Sequence, residues 1–209
     1  MAIEYIPVVM PSNLQGVQNG KLPFTLLTPV YFPGVGHLSL HPQAARAWNA
    51  MAVVCFAETG VKLSTTGTYR SYDAQVQLFN QRMSAVYNPI TCTTTTRIWN
   101  GKRYWLKRGF APCATPGTSN HGWGLAIDTA ISAPGKTLPI TSNLTVWRWL
   151  QRNAVSFGWS WEGAKVPGNW EPGQVAPAGF EPWHIRYVDG DRTPKRVLEV
   201  EAFFHGAKP

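Results

Sequence analysis

A chain that reads SNHGWGLAID from Ser119 to Asp128 cannot carry that stretch as one uniform strand if its histidine and its acid are to meet. Strand side chains alternate between faces, so His121 and Asp128, an odd number of residues apart, would point in opposite directions. Gly122 and Gly124 offer the escape, because glycine permits a turn or bulge that re-aims the backbone. Beyond them, Leu125 and Ile127 face a core while Ala126 and Asp128 face away. The stretch predicts a histidine and a carboxylate brought to one point, nitrogen and oxygen donors suited to zinc.

A second fragment, EPWHIRY, supplies what the first lacks. Glu181 precedes a proline and is biased toward an extended backbone. In a strand here, Trp183 and Ile185 share one face, and His184 and Arg186 the other. His184 would complete a His-Asp-His set, and a catalytic zinc commonly takes three protein ligands and leaves one position open. Glu181 is then free to act as a base. Singly, each fragment has a plainer reading: a structural histidine, or an aspartate closing a turn. Together, two histidines, one aspartate and a spare glutamate make up the inventory of a metal-dependent hydrolase.

The rest of the chain gives these fragments a setting. Residues 1–40 are rich in Pro and Gly and read as an irregular N-terminal extension, packed on the domain or facing a partner; the domain proper spans 41–209. Pro42 suits a first helical position and Gly60 a stop, with Ala45, Trp48, Met51, Ala52 and Cys55 as the core stripe between them. VKLSTTGTYRS reads as a strand running into a turn. Ser71 caps a second helix whose buried face is Val76, Phe79, Met83 and Val86. TTTTRIWNGKRYWLK reads as a hairpin about Asn100-Gly101. Further helices are predicted near 143–157 and from Pro194. Helices alternate with short strands without βαβ regularity, which predicts an α+β fold with a small, largely antiparallel sheet and flanking helices.

Composition narrows the partners. With 44% hydrophobic and 14% charged residues the chain is no disordered tail, and at 209 residues it suits one domain. A formal charge of +8 attracts something anionic, but the basic residues are dispersed and match no nucleic-acid-binding spacing. An anionic cell wall satisfies the same electrostatics. No segment reaches the roughly 18 to 20 apolar residues of a membrane span. Nor does MAIEYIPVVMPSN read as a signal peptide, since Glu4 replaces the positive region and Pro7 and Pro11 interrupt the apolar run. Cys55 reads as a small buried residue, while Cys92 and Cys113 are left open as a disulfide or two free thiols.

With these residues in view, the sequence resembles a known family. SNHGWGLAID fits the SxHxxGxAxD pattern, and EPWH the ExxH pattern, of the zinc D-Ala-D-Ala carboxypeptidases and L-alanyl-D-glutamate endopeptidases, the VanY-like, LAS-type peptidoglycan peptidases. GTYRSYDAQ, Gly67 to Gln75, is similar to the family's upstream YRS segment. The three occur in the family's order, and the resemblance covers roughly residues 40–190. It implies one Zn2+ held by His121, Asp128 and His184, Glu181 as general base, and Arg70 binding a substrate carboxylate or steadying the developing oxyanion. Ser119 matches the motif's serine as a substrate contact. The implied fold is the LAS-type α+β domain, acting as a monomer on peptidoglycan stem peptides, with anionic wall polymers as a further contact and neither nucleic acid nor membrane as partner. Breaking the wall mesh favours the endopeptidase, of endolysin type, over the carboxypeptidase. A wall enzyme with no signal peptide implies synthesis in the cytoplasm and action after release, through a holin or with a virion.

Other readings use the same residues. A cysteine peptidase built on Cys113 and His121 leaves Asp128 and EPWH unexplained. A non-catalytic wall-binding module would not need Glu181. The hairpin's Arg97, Lys102, Arg103, Lys107 and Arg108, set among Trp99, Tyr104 and Trp105, form either a groove wall or an ordinary solvated hairpin. Trp123, Trp159, Trp161 and Trp170 line a cleft or fill the core. His37, His41 and His205 fit no ligand pattern.

Overall fold

The computed structural model of the protein describes residues 6–161, 170, 172–175 and 180–204; His205 lies outside them. Two short 3-10 turns, Ser12–Leu14 and Phe24–Leu26, lead into an antiparallel hairpin of β1 (Thr28–Phe32) and β2 (Gly36–Leu40). The irregular character expected through residue 40 thus gives way to regular structure at Thr28. Leu14, Leu22, Val30, Phe32 and Leu40 are buried in the main core, so this region is part of the domain's interior.

Helix α1 (Pro42–Thr59) keeps its expected bounds, with His41 as N-cap and Gly60 left-handed at φ 71°. Its Ala45, Trp48, Met51 and Cys55 are buried, while Ala52 is half-buried. β3 (Leu63–Gly67) follows, then α2 (Tyr72–Arg82), where the Ser71 hydroxyl accepts from the Ala74 N–H at 3.1 Å. The expected α2 is too long. The chain leaves the helix at Met83 (φ −112°, ψ 150°) into β4 (Met83–Ser84), because Met83 pairs across to Leu106 in a distant strand. Phe79 and Met83 are buried as expected, Val76 only partly, and Val86 is 74% exposed.

β5 (Cys92–Trp99) and β6 (Lys102–Lys107) form the expected hairpin; Asn100 (φ 49°) and Gly101 (φ 72°) supply the two left-handed residues of a type I′ turn. Then come β7 (Ala126–Ala133), β8 (Lys136–Pro139), α3 (Leu144–Asn153), β9 (Trp159–Trp161), β10 (His184–Tyr187) and α4 (Lys195–Phe204).

Among the described residues the strands form three antiparallel sheets: β1-β2, β4-β6-β5, and a five-stranded sheet ordered β3-β7-β10-β9 with β8 also on β7. This is the expected α+β class. The large sheet packs with α1 and α3 around Trp48, Trp147 and Trp159. A separate small core joins α2 to the three-stranded sheet through Phe79, Met83, Leu106 and Cys113. The site lies along the seam between these two cores.

Candidate metal centre and cleft

Register in the large sheet builds the first half of the site. Asp128 of β7 lies opposite His184 of β10 on one side and opposite Gly67 of β3 on the other. Directly opposed side chains in an antiparallel pair are near neighbours, and His184 Nδ1 stands 3.0 Å from Asp128 Oδ1. Room for the carboxylate comes from the third member of the row: a Cβ on Gly67 would fall 2.9 Å from Asp128 Oδ2. A β-bulge at Thr65/Gly67 is held by the Thr65 hydroxyl, which accepts from the Gly67 N–H at 3.0 Å and lies 2.8 Å from the Asp128 carbonyl.

His121 arrives by another route. It sits in a 3-10 turn, Asn120–Trp123, closed by left-handed Gly124 (φ 66°), so the glycine escape is a turn before β7 rather than a bulge within it. Gly122 serves close packing instead, because a Cβ there would lie 2.2 Å from the Asn19 side-chain oxygen. Asn19 Nδ2 donates to the Ser119 carbonyl at 2.8 Å. Gly20 N–H donates to the Gly122 carbonyl, and Gly20's own carbonyl accepts from the Tyr72 N–H, both at 2.8 Å. The His121 carbonyl accepts from the Arg70 N–H at 3.1 Å, and Arg186 Nη1 donates to Asn120 Oδ1 at 3.3 Å. The turn is braced from the N-terminal region, from the start of α2 and from β10.

These elements converge. Ligand atoms of His121, Asp128 and His184 all lie within 4.8 Å of one another. His121 Nδ1 is 2.7 Å from the Thr68 carbonyl, which can only accept, so Nδ1 carries a hydrogen and Nε2 is the ring nitrogen turned to Asp128 Oδ2, at 3.4 Å. Such an outer partner fixes the tautomer of a metal-binding imidazole. Burial alone would raise the Asp128 pKa, but the hydrogen bonds and charges of the two histidines outweigh it and hold the carboxyl well below the usual range. The donor set fits zinc.

A cleft of about 500 Å³ opens over this cluster, and Arg70, Ser119, His121, Asp128, Glu181 and His184 all line it. Glu181 is exposed at its rim, and its carbonyl accepts from the His184 N–H at 3.0 Å. EPWH is therefore a turn leading into β10, and Trp183, 43% exposed, does not share the buried face of Ile185. Arg70 is aimed by Gln75, whose Oε1 accepts from Nη1 at 3.0 Å while its Nε2 donates to the Ala114 carbonyl at 2.7 Å. Burial pushes the Arg70 pKa down, with Asp128 opposing.

Several alternatives do not survive. The basic-aromatic hairpin is not a wall of this cleft. Trp99 and Tyr104 pack on Phe79 at 5.3 and 5.0 Å, Lys107 caps the carbonyls of Asn80 and Gln81, and Arg97 bonds the Cys113 carbonyl. The segment that follows it, 111–114, is what lines the cleft. Trp159, Trp161 and Trp170 are core residues, and Trp123 lines a separate groove; Trp183 is the tryptophan at the cleft. Cys55, Cys92 and Cys113 are free thiols, so no 92–113 bridge exists. Burial raises the Cys113 thiol pKa, the opposite of an activated thiolate. Gly67, Thr68, Gln75 and Asn19 belong to the site's framework; the first three lie in the GTYRSYDAQ segment, where the resemblance assigns a role to Arg70 alone, and Asn19 lies in no motif.

Comparison with known proteins gives the chain a family. A family model described as VanY, D-alanyl-D-alanine carboxypeptidase, matches residues 37–190. The chain is 29% identical over 174 residues to YodJ of Bacillus subtilis (strain 168), which bears the name of a carboxypeptidase; the match covers 81% of this chain and 55% of YodJ. It is 40% identical over 82 residues to a D-alanyl-D-alanine carboxypeptidase of Enterococcus faecalis (strain ATCC 700802 / V583), covering 39% of this chain and 27% of that protein. The chain thus spans about half, or less, of the length of these relatives. The solved structure of the LdcB LD-carboxypeptidase shares the fold at a TM-score of 0.53 and 21% identity, over 99% of this chain and 94% of that one. With a match that takes in well over half of its length and all three site motifs, the chain belongs to the VanY, D-alanyl-D-alanine carboxypeptidase, family.

Proposed function

We propose that the protein is a zinc-dependent carboxypeptidase that trims peptidoglycan stem peptides. The observation that carries this reading is the meeting of His121, Asp128 and His184 donor atoms at a cleft that also holds Glu181 and Arg70. Both curated relatives and the family description bear carboxypeptidase names, which favours trimming over the endopeptidase of endolysin type.

His121 Nε2, one Asp128 oxygen and a His184 ring nitrogen would hold the ion. The chemistry zinc supplies in such a site is Lewis acidity toward a carbonyl oxygen and toward water. Glu181 takes the proton from the attacking water on its carboxylate and passes it to the departing amine. Arg70, held by Gln75, puts a fixed cation where negative charge gathers on the scissile oxygen. The Thr68 carbonyl keeps the His121 tautomer that presents Nε2. Ser119 stands at the cleft wall as a substrate contact.

The test is mass spectrometry of purified peptidoglycan digested with the zinc-loaded protein, with and without chelator. Chelator-sensitive loss of single D-Ala residues is the expected result. New L-Ala carboxyl ends and D-Glu amino ends would establish the endopeptidase instead, and no cleavage on several wall types would overturn the peptidase reading.

A further inference from the structure

Arg70 is one guanidinium of the cleft; a second, Arg82, faces the same space and has no part in the mechanism above. Arg82 closes α2, one turn after Leu78, which also lines the cleft, and Gln75 lies three residues before Leu78. Residues three and four apart share a helix face, so the face of α2 that aims Arg70 through Gln75 also presents Arg82. Among the described residues neither arginine forms an ion pair. Arg82 Nη1 meets only a neutral acceptor, the Ala111 carbonyl at 3.3 Å. The two like charges oppose each other: after burial, the charge of Arg82 is a further cause lowering the Arg70 pKa. An anion entering the cleft relieves that repulsion and finds two planar forks suited to bidentate binding of a carboxylate.

We propose that Arg82 binds a carboxylate of the substrate peptide, giving the cleft an anion subsite beyond the position served by Arg70. The identity of the ligand as a peptide rests on the function proposed above. The carboxylate is either the one at the peptide's C-terminus or the one on an internal D-glutamyl residue.

Three synthetic peptides separate these sources: L-Ala-D-Glu-L-Lys-D-Ala-D-Ala, its C-terminal amide, and its D-Gln analogue. Dissociation constants and KM are measured for the zinc-loaded wild type, Arg82→Gln and Arg82→Lys. Arg82→Gln is expected to weaken binding of the parent peptide about tenfold, as for loss of one charge-assisted hydrogen-bonded contact. kcat should stay within about twofold. The penalty should vanish on one of the two amidated peptides, and that peptide names the carboxylate. Arg82→Lys, which keeps the charge but loses the fork, should show a smaller penalty with the same selectivity. A penalty equal on all three peptides, or absent from all, overturns the proposal. If Arg82→Gln unfolds, the selectivity of Arg82→Lys decides. If the wild type cleaves none of the peptides, the proposed function fails, while the dissociation constants still decide the role of Arg82.

Discussion

Gly67→Ala isolates what the sheet does for the metal centre. The new Cβ would lie 2.9 Å from Asp128 Oδ2 and 3.6 Å from its carboxyl carbon, so one of the two must move by a few tenths of an ångström. Gly67 is not among the residues with positive φ, so its backbone accepts alanine without strain. Alanine also restricts the unfolded chain, worth about 0.4–1 kcal/mol in favour of the fold. The atom met is the end of a side chain, and its displacement is cheap for the fold. It is not cheap for the site, because Oδ1 is already fixed by His184 Nδ1 at 3.0 Å and a tilt about that contact moves Oδ2 off His121. Disturbing the groups that orient metal ligands commonly lowers affinity by about 10–100-fold, which is about 1.4–2.8 kcal/mol. Competition titration with a zinc chelator should show that loss, while thermal unfolding of the metal-free protein shifts by no more than about 2 °C, or rises. Wild-type zinc affinity in Gly67→Ala would refute the reasoning. So would a collapse of metal-free stability, which would make Gly67 a requirement of the fold.

Glu181→Gln should keep zinc affinity within about threefold and lower kcat by about 10²–10⁴-fold, the range for a lost general base; stopped-assay kinetics and metal titration on one preparation check both. Phe79→Ala empties the centre of the small core and should cost about 3–5 kcal/mol in denaturant unfolding. Alkaline pH should also destabilise the protein. Burial raises Cys55 to about 11 and Tyr187 to about 12, so both favour the fold while protonated, fully so below about pH 9; that contribution fades as pH climbs toward those values. Urea midpoints between pH 8 and 11 should fall, and thiol titration should count three free cysteines once the chain unfolds.

Local chemistry was legible and long-range register was not. The ends of α1 follow from Pro42 and Gly60, and the β5-β6 turn from Asn100-Gly101, because in each the deciding residues adjoin the feature they create. The overlong α2 shows the limit: Val76, Phe79, Met83 and Val86 keep helical spacing, yet a strand more than twenty residues later claims Met83. The motifs identify His121, Asp128, His184 and Glu181, but the reason three of them meet is a row across three strands and a turn braced from Asn19, about a hundred residues away. The tryptophans misled for a related reason: the same ring fills a core or walls a groove, and only packing separates Trp161 from Trp183.

The seam between the two cores divides the labour of the cleft. His121, Asp128 and His184 ride on the large sheet and the turn joined to it, whereas Arg82 and Leu78 ride on α2, backed by Phe79 and Met83. Repacking the smaller layer would re-aim Arg82 and Leu78 and leave the donor atoms where the larger layer sets them. A lineage could therefore reshape one wall of the cleft without disturbing the donor cluster, and a designer could do the same by working on one side of the seam alone.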